Sequence, residues 1–247
     1  MITVRFSPGT SPGRREVFQR AAERWDGVLE TGFSPIEVDG ETLEGLLIDA
    51  AIEPIDGPEG TLGQAGPTHL MPGSELPVKG IMQFDDADIA RLEAEGSFED
   101  VILHEMAHVL GFGTLWARQG LIEGSGTMDP RFTGPLATAE YTALIPTGAE
   151  PVPIANTGGA GTREGHWREL IFGDELLTGF LSGQARPLSR LSVASFADLG
   201  YEVDLVAADS YELPSFQDLA LMGITEAVRI CALCKVSRPI PIVVGQR

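Results

Sequence analysis

The sequence is poor in basic side chains, poor in cysteine and histidine, and without any long apolar run. Seventeen Lys and Arg stand against 36 Asp and Glu, a formal charge of −19. Phosphate recognition needs clustered cations, so this balance argues against a nucleic-acid partner. It equally disfavours adsorption to anionic membranes. No stretch approaches the roughly 18 apolar residues that read as a membrane span, so a soluble chain with no span is expected. The N-terminal run MITVRFSPGTSPGRR lacks the apolar centre of a signal peptide. The chain is then either cytosolic or a mature form carrying a start Met. Acidity on this scale suits a secreted protein, and a secreted or extracellular location is the expectation.

Cysteine is confined to Cys231 and Cys234, in CALC. One CxxC can be a redox pair, half a zinc site or a local disulfide, or simply two small buried apolar residues. It fixes no compartment. Internal repeats and low-complexity tracts are absent.

What is present is globular: 43% apolar and 21% charged residues over 247 positions can bury one substantial core. Val17, Phe18, Ala21, Ala22, Trp25 and Val28 recur at helical spacing and predict a helix over Arg14–Glu30, with Gly32 past its end. Strand-like runs follow at Leu43–Ile52, Leu62–Ala65 and Gly80–Phe84. Asp85, Asp86 and Asp88 open a short helix reaching about Ala94. An acidic cluster there invites calcium but lacks EF-hand spacing, and caps that complement the helix dipole explain it better. Ser97, with Asp100 three residues on, reads as a capping box for the next helix. Gly111 sits where that helix wants a left-handed residue. From there to about Arg190 the chain is rich in Gly, Pro and Thr, and periodicity returns only at Leu191–Leu199.

Three of the four histidines carry the chemistry. His104-Glu105-Met106-Ala107-His108 is HExxH, and residues four apart on a helix share a face, so both imidazoles can point at one metal. Glu105 projects beside that metal, where it can take a proton from a water. The alternative, two satisfied core histidines, would also bury a carboxylate, which is costly. A catalytic zinc wants a third protein ligand and one open position. His166, 58 residues beyond His108 (166 − 108) and preceded by a glycine-rich loop, is the main candidate. Glu123 and Glu140 remain alternatives, as does a non-catalytic protein with a structural zinc. His69 has no partner spacing and reads as structural. The glycine-rich NTGGAGTREG lacks the Lys-Ser/Thr of a phosphate loop.

HEMAHVLGF, a long insertion, then HWRELIFGDEL and FADLGY resemble the leishmanolysin-like metzincins, especially their bacterial relatives. LLIDAAIEPIDG, LGQAGPTHL and GIMQFD extend the resemblance over most of residues 1–211. It implies a zinc endopeptidase of α+β class acting on protein or peptide substrates. It also implies a twisted mixed sheet with helices in an upper lobe, and an irregular lower lobe across a cleft. Carried onto this chain, His104, His108 and His166 are the zinc ligands and Glu105 the general base. The lobes then divide as 1–110 and 111–212, with 213–247 a tail of unassigned role. The family's Met-turn methionine corresponds to Leu177, a nearly volume-conserving exchange. Substrate is expected to lie along an edge strand, with Gly80–Phe84 the candidate.

Overall fold

The computed structural model describes residues 1–58, 60–146, 148–159, 161–180, 186–221 and 240–245. Strand β1 (Ile2–Phe6) leads into helix α1 (Pro12–Asp26), a short hairpin of β2 (Ile36–Val38) and β3 (Glu41–Leu43), then β4 (Leu46–Glu53), β5 (Gly63–Leu70) and β6 (Pro77–Asp85). Helices α2 (Asp86–Glu95) and α3 (Phe98–Val109) follow. The second half carries small strands β7 (Ile122–Glu123), β8 (Arg131–Phe132) and β9 (Val152–Pro153) between longer irregular stretches. Its helices are α4 (Pro135–Leu144), α5 (Glu169–Phe172), α6 (Arg190–Asp198) and α7 (Phe216–Leu221), and β10 (Ile242–Val243) comes last. The result is the α+β architecture expected. Among the described residues no helix is long and apolar enough to cross a membrane.

The main sheet has the order β1-β4-β6-β5-β10. Strands β1, β4 and β6 run parallel, β5 runs antiparallel to β6, and β10 runs parallel to β5. This corrects one expectation: Gly80–Phe84 lies within β6, paired to β4 on one side and β5 on the other, so it is not an edge. Apolar alternation cannot tell a central strand from an edge, because it records the faces of a strand and not its neighbours.

Helix α1 starts two residues before the expected position. Ser11 caps it, accepting from the Arg14 N–H, and Pro12 suits the first turn, where its missing N–H costs nothing. It stops at Asp26 because the chain beyond has tertiary partners: Leu29 bridges to Val203 and the Glu30 N–H donates to Glu202 O. Its buried face, Phe18, Ala21, Ala22 and Trp25, packs on the sheet and on α3, with the Trp25 indole donating to Leu103 O at 3.0 Å. Phe18 stands edge-on to Phe84 and Phe98, tying α1 to β6 and α3.

The capping box at Ser97 does not form. Gly96, at φ +71°, ends α2 in the left-handed conformation, and the Ser97 N–H closes back on Leu92 O. Ser97 is therefore spent on finishing α2; its hydroxyl also points to Leu92 O, and its backbone is already helical. Asp100 instead receives Arg186 at 2.6 Å. Of the aspartates upstream, Asp85 is the cap of α2, and Asp86 and Asp88 lie in its first turn. Buried Asp85 accepts the Ala87, Asp56 and Gly57 N–H groups, and Asp88 pairs with Arg91 at 3.0 Å.

Helix α3 lies close on β5 and β6, and glycine makes that possible. A Cβ on Gly80 would overlap Val109 Cγ1 and come within 2.9 Å of Gly66 O. Gly80→Ala should therefore destabilise the fold by about 1–3 kcal/mol, as overpacking does. Gly13→Ala, at an α1 position with nothing within 4 Å, should be neutral or slightly stabilising. Denaturant unfolding of both decides it, and equal stability of the two variants would remove the proposed helix–sheet constraint.

Candidate metal centre

Helix α3 presents His104, Glu105 and His108 from its buried length, and His166 arrives from the loop before α5. Among the described residues these three histidines form the one group of three or more His, Cys, Asp or Glu side chains placed to share an ion. Their Nε2 atoms form a nearly equilateral triangle: 3.1 Å from His104 to His108, and 3.0 Å from His166 to each. Three nitrogens bound tetrahedrally at 2.0–2.1 Å from zinc lie about 3.3 Å apart, so a few tenths of an ångström separate this triangle from a ligand set.

The other ring nitrogens settle the tautomers. Nδ1 of His104 lies 2.8 Å from Leu176 O, that of His108 2.9 Å from Phe112 O, and that of His166 3.0 Å from Thr162 O. A carbonyl oxygen can only accept, so each Nδ1 carries the hydrogen and each Nε2 presents a lone pair. Burial also lowers the His104 pKa to about 4, against a smaller upward pull from its bond to Leu176. His104 is therefore neutral near pH 7, the form that binds metal. The donor set fits zinc.

His166 is brought to α3 by glycine packing. Gly111 turns the chain out of the helix at φ +110°, and Gly113 follows at φ +69°. A Cβ on Gly113 would strike Gly165 O and lie 2.7 Å from Gly165 Cα, so two backbones touch where a side chain has no room. Gly179 similarly leaves space for Thr162, the residue whose carbonyl holds His166. The helix end is anchored as well: the Thr114 hydroxyl donates to His108 O and the Tyr201 hydroxyl to Leu110 O. Trp167, the residue after His166, is buried with ring contacts to Phe112 at 5.1 Å and Trp116 at 5.1 Å. One aromatic cluster therefore supports both the Phe112 carbonyl under His108 and the segment carrying His166.

A buried carboxylate organises the opposite wall. Glu175 accepts the Leu177 N–H at 2.6 Å, the Ser189 N–H at 3.0 Å and hydroxyls from Ser189 and Ser192. Ser192 also receives the Trp167 indole N–H at 2.8 Å. Burial pushes the Glu175 carboxyl above its ordinary range, and these donors pull it back. The bonds pin the turn Glu175-Leu176-Leu177, which supplies the carbonyl for His104. Leu177 is fully buried in the core, and its carbonyl accepts the Trp167 N–H. Nothing in the bare sequence marked Glu175; a lone Glu in FGDEL has no periodicity to distinguish it from a surface residue.

Glu105 is buried against β5, where a Cβ on Gly63 would come within 3.2–3.3 Å of its Cγ, Cδ and Oε1. The alternative third ligands lie elsewhere. Glu123 is exposed on β7, and Glu140 on α4 pairs with Arg190 at 2.9 Å. His69 sits at the far end of β5 beside Thr68 and Asp39. Cys231 and Cys234 lie outside the described residues. Compared with known families, the chain matches the sequence model of leishmanolysin over residues 44–214, a span that includes all three histidines and Glu105.

If the Gly113–Gly165 contact positions the third histidine, Gly113→Ala should weaken zinc binding by about tenfold or more, the scale of changes beyond the ligands themselves. Chelator competition measures it. In a His166→Ala background the same change should add nothing, because the ligand it displaces is gone. Unchanged zinc affinity in the single variant would show that the contact does not place His166.

Proposed function

The chain belongs to the leishmanolysin family of metallopeptidases, and on that premise we propose a zinc-dependent endopeptidase. In it His104, His108 and His166 hold the metal and Glu105 is the general base. The observation that carries this reading is the triangle of Nε2 atoms, each turned inward by a carbonyl bond at Nδ1. Zinc held there supplies a Lewis acid that acidifies water and polarises the scissile carbonyl. Glu105 takes the proton from the attacking water and delivers it to the leaving amine. Its burial beside the triad keeps that transfer away from bulk solvent. Extracellular action is part of the same proposal, resting on the acidic composition.

Strand β5 runs beside the carboxylate. Asp85 N donates to Leu62 O, and with the β5–β6 register this makes Gln64 and Gly66 the residues bonded to β6. Gly63, Ala65 and Pro67 therefore turn their backbone groups to the other edge, beginning beside Glu105.

Glu105→Gln should retain zinc and lose at least about 100-fold in kcat/KM, since the amide cannot take the proton while the ligands stay intact. His166→Ala should release metal that Glu123→Gln and Glu140→Gln retain. Casein cleavage with elemental analysis reads both. Near wild-type cleavage by Glu105→Gln would remove the assigned base, and metal loss in a glutamate variant alone would remove His166.

A further inference from the structure

Glu175 and His104 are bonded to the two ends of one peptide group. Glu175 Oε2 accepts the Leu177 N–H at 2.6 Å, and the Leu176 carbonyl accepts the His104 Nδ1–H at 2.8 Å. That N–H and that carbonyl belong to the same amide. A carboxyl group, an amide and an imidazole therefore stand in line, with His104 Nε2 turned to the other two histidines. Glu175, His104 and Leu177 are all buried, so bulk water does not weaken the line. The surroundings of the carboxyl favour its ionised form. Oε1 receives the Ser189 N–H and the hydroxyls of Ser189 and Ser192. Each hydroxyl already accepts a bond, Ser189 from the Ser192 N–H and Ser192 from the Trp167 indole, which leaves its hydrogen for the carboxylate. A carboxyl proton would compete with all of these donors for the same two oxygens. Burial alone raises the Glu175 pKa, and the donors oppose it by stabilising the anion. These donors are neutral, so the negative charge is not cancelled where it sits.

We propose that Glu175 is a positioning residue that strengthens His104 as a zinc ligand by polarising the Leu176–Leu177 peptide group. This rests on the reading that His104 binds zinc. An anion on the amide N–H draws electrons toward the amide oxygen, and the carbonyl becomes a stronger acceptor. A stronger acceptor at Nδ1 makes Nε2 a more basic ligand, as a carboxylate bonded directly to a metal-binding histidine does. Here one peptide group stands between the two, and the carboxylate bonds the amide rather than the ring. His166 is served differently: its carbonyl, Thr162 O, belongs to a peptide whose N–H, that of Arg163, donates to the neutral Gly159 O at 3.0 Å. The tuning therefore falls on His104. It also runs in reverse. Metal on Nε2 makes Nδ1–H a stronger donor, which polarises the same amide and tightens the Leu177 N–H bond to Glu175.

The test uses nitrogen-15-labelled full chain, with and without zinc, and needs no turnover. In the wild type, zinc should move the His104 Nδ1 proton and the Leu177 amide proton downfield together. Glu175→Gln keeps the size of the side chain and removes its charge. In the zinc-loaded variant the His104 Nδ1 proton should move upfield, while those of His108 and His166 hold their positions. Zinc affinity, read by chelator competition, should fall by about tenfold or more. In a His104→Ala background the same change should cost no further affinity, because the ligand it tunes is gone. A Leu177 amide proton that zinc leaves in place overturns the relay, and that result stands even where Glu175→Gln fails to fold. Unchanged affinity in Glu175→Gln overturns it as well. Equal shifts of all three Nδ1 protons, or the same loss of affinity with and without His104, would show that Glu175 only holds the turn, and would overturn the tuning. No zinc uptake by the wild-type chain overturns instead the ligand reading on which the proposal stands.

Discussion

Three bonds from imidazole Nδ1 to backbone carbonyls hold this centre, and the rest of the structure serves to place those carbonyls. Each bond forces one tautomer and turns one Nε2 lone pair inward. The carbonyls come from three separate places: the end of the motif helix at Phe112, the glycine-rich loop at Thr162, and the turn at Leu176. A metal site assembled this way is only as rigid as its remote supports. Glu175 pins the Leu176 turn, the Phe112–Trp116–Trp167 rings brace two of the three segments, and Gly113 against Gly165 closes the distance between them.

The sheet makes a second contribution by letting α3 approach it closely. Gly80 accommodates Val109 and Gly63 accommodates Glu105, on neighbouring strands with complementary roles. The first sets how deeply the helix sits. The second places the carboxylate against the start of β5.

The helical pair of histidines was legible because a period of 3.6 is local and HExxH states it outright. The proposed third ligand, His166, lies 58 residues on, beyond any periodic signal, and the resemblance to a family is what assigned it over Glu123 or Glu140. Burial patterns found β4, β5 and β6 but not their neighbours, which is why Gly80–Phe84 looked like an edge and is interior. Ser97 carried a capping signature that lost to Gly96, one residue earlier, ending α2. Helix α4, started by Pro135 after Gly134, hid within the Gly- and Pro-rich stretch. The two-residue β10 has no pattern of its own; its place comes wholly from the strand it meets.

The central claim is that three imidazoles, and no carboxylate or thiolate, hold the metal. X-ray absorption on the zinc-loaded full chain addresses it directly. The account predicts three imidazole nitrogens at about 2.0–2.1 Å with their outer-ring scattering, plus one light oxygen ligand in the fourth position. Two imidazoles with a carboxylate, or a sulfur shell near 2.3 Å, would contradict it, the second by bringing Cys231 or Cys234 to the metal in place of His166.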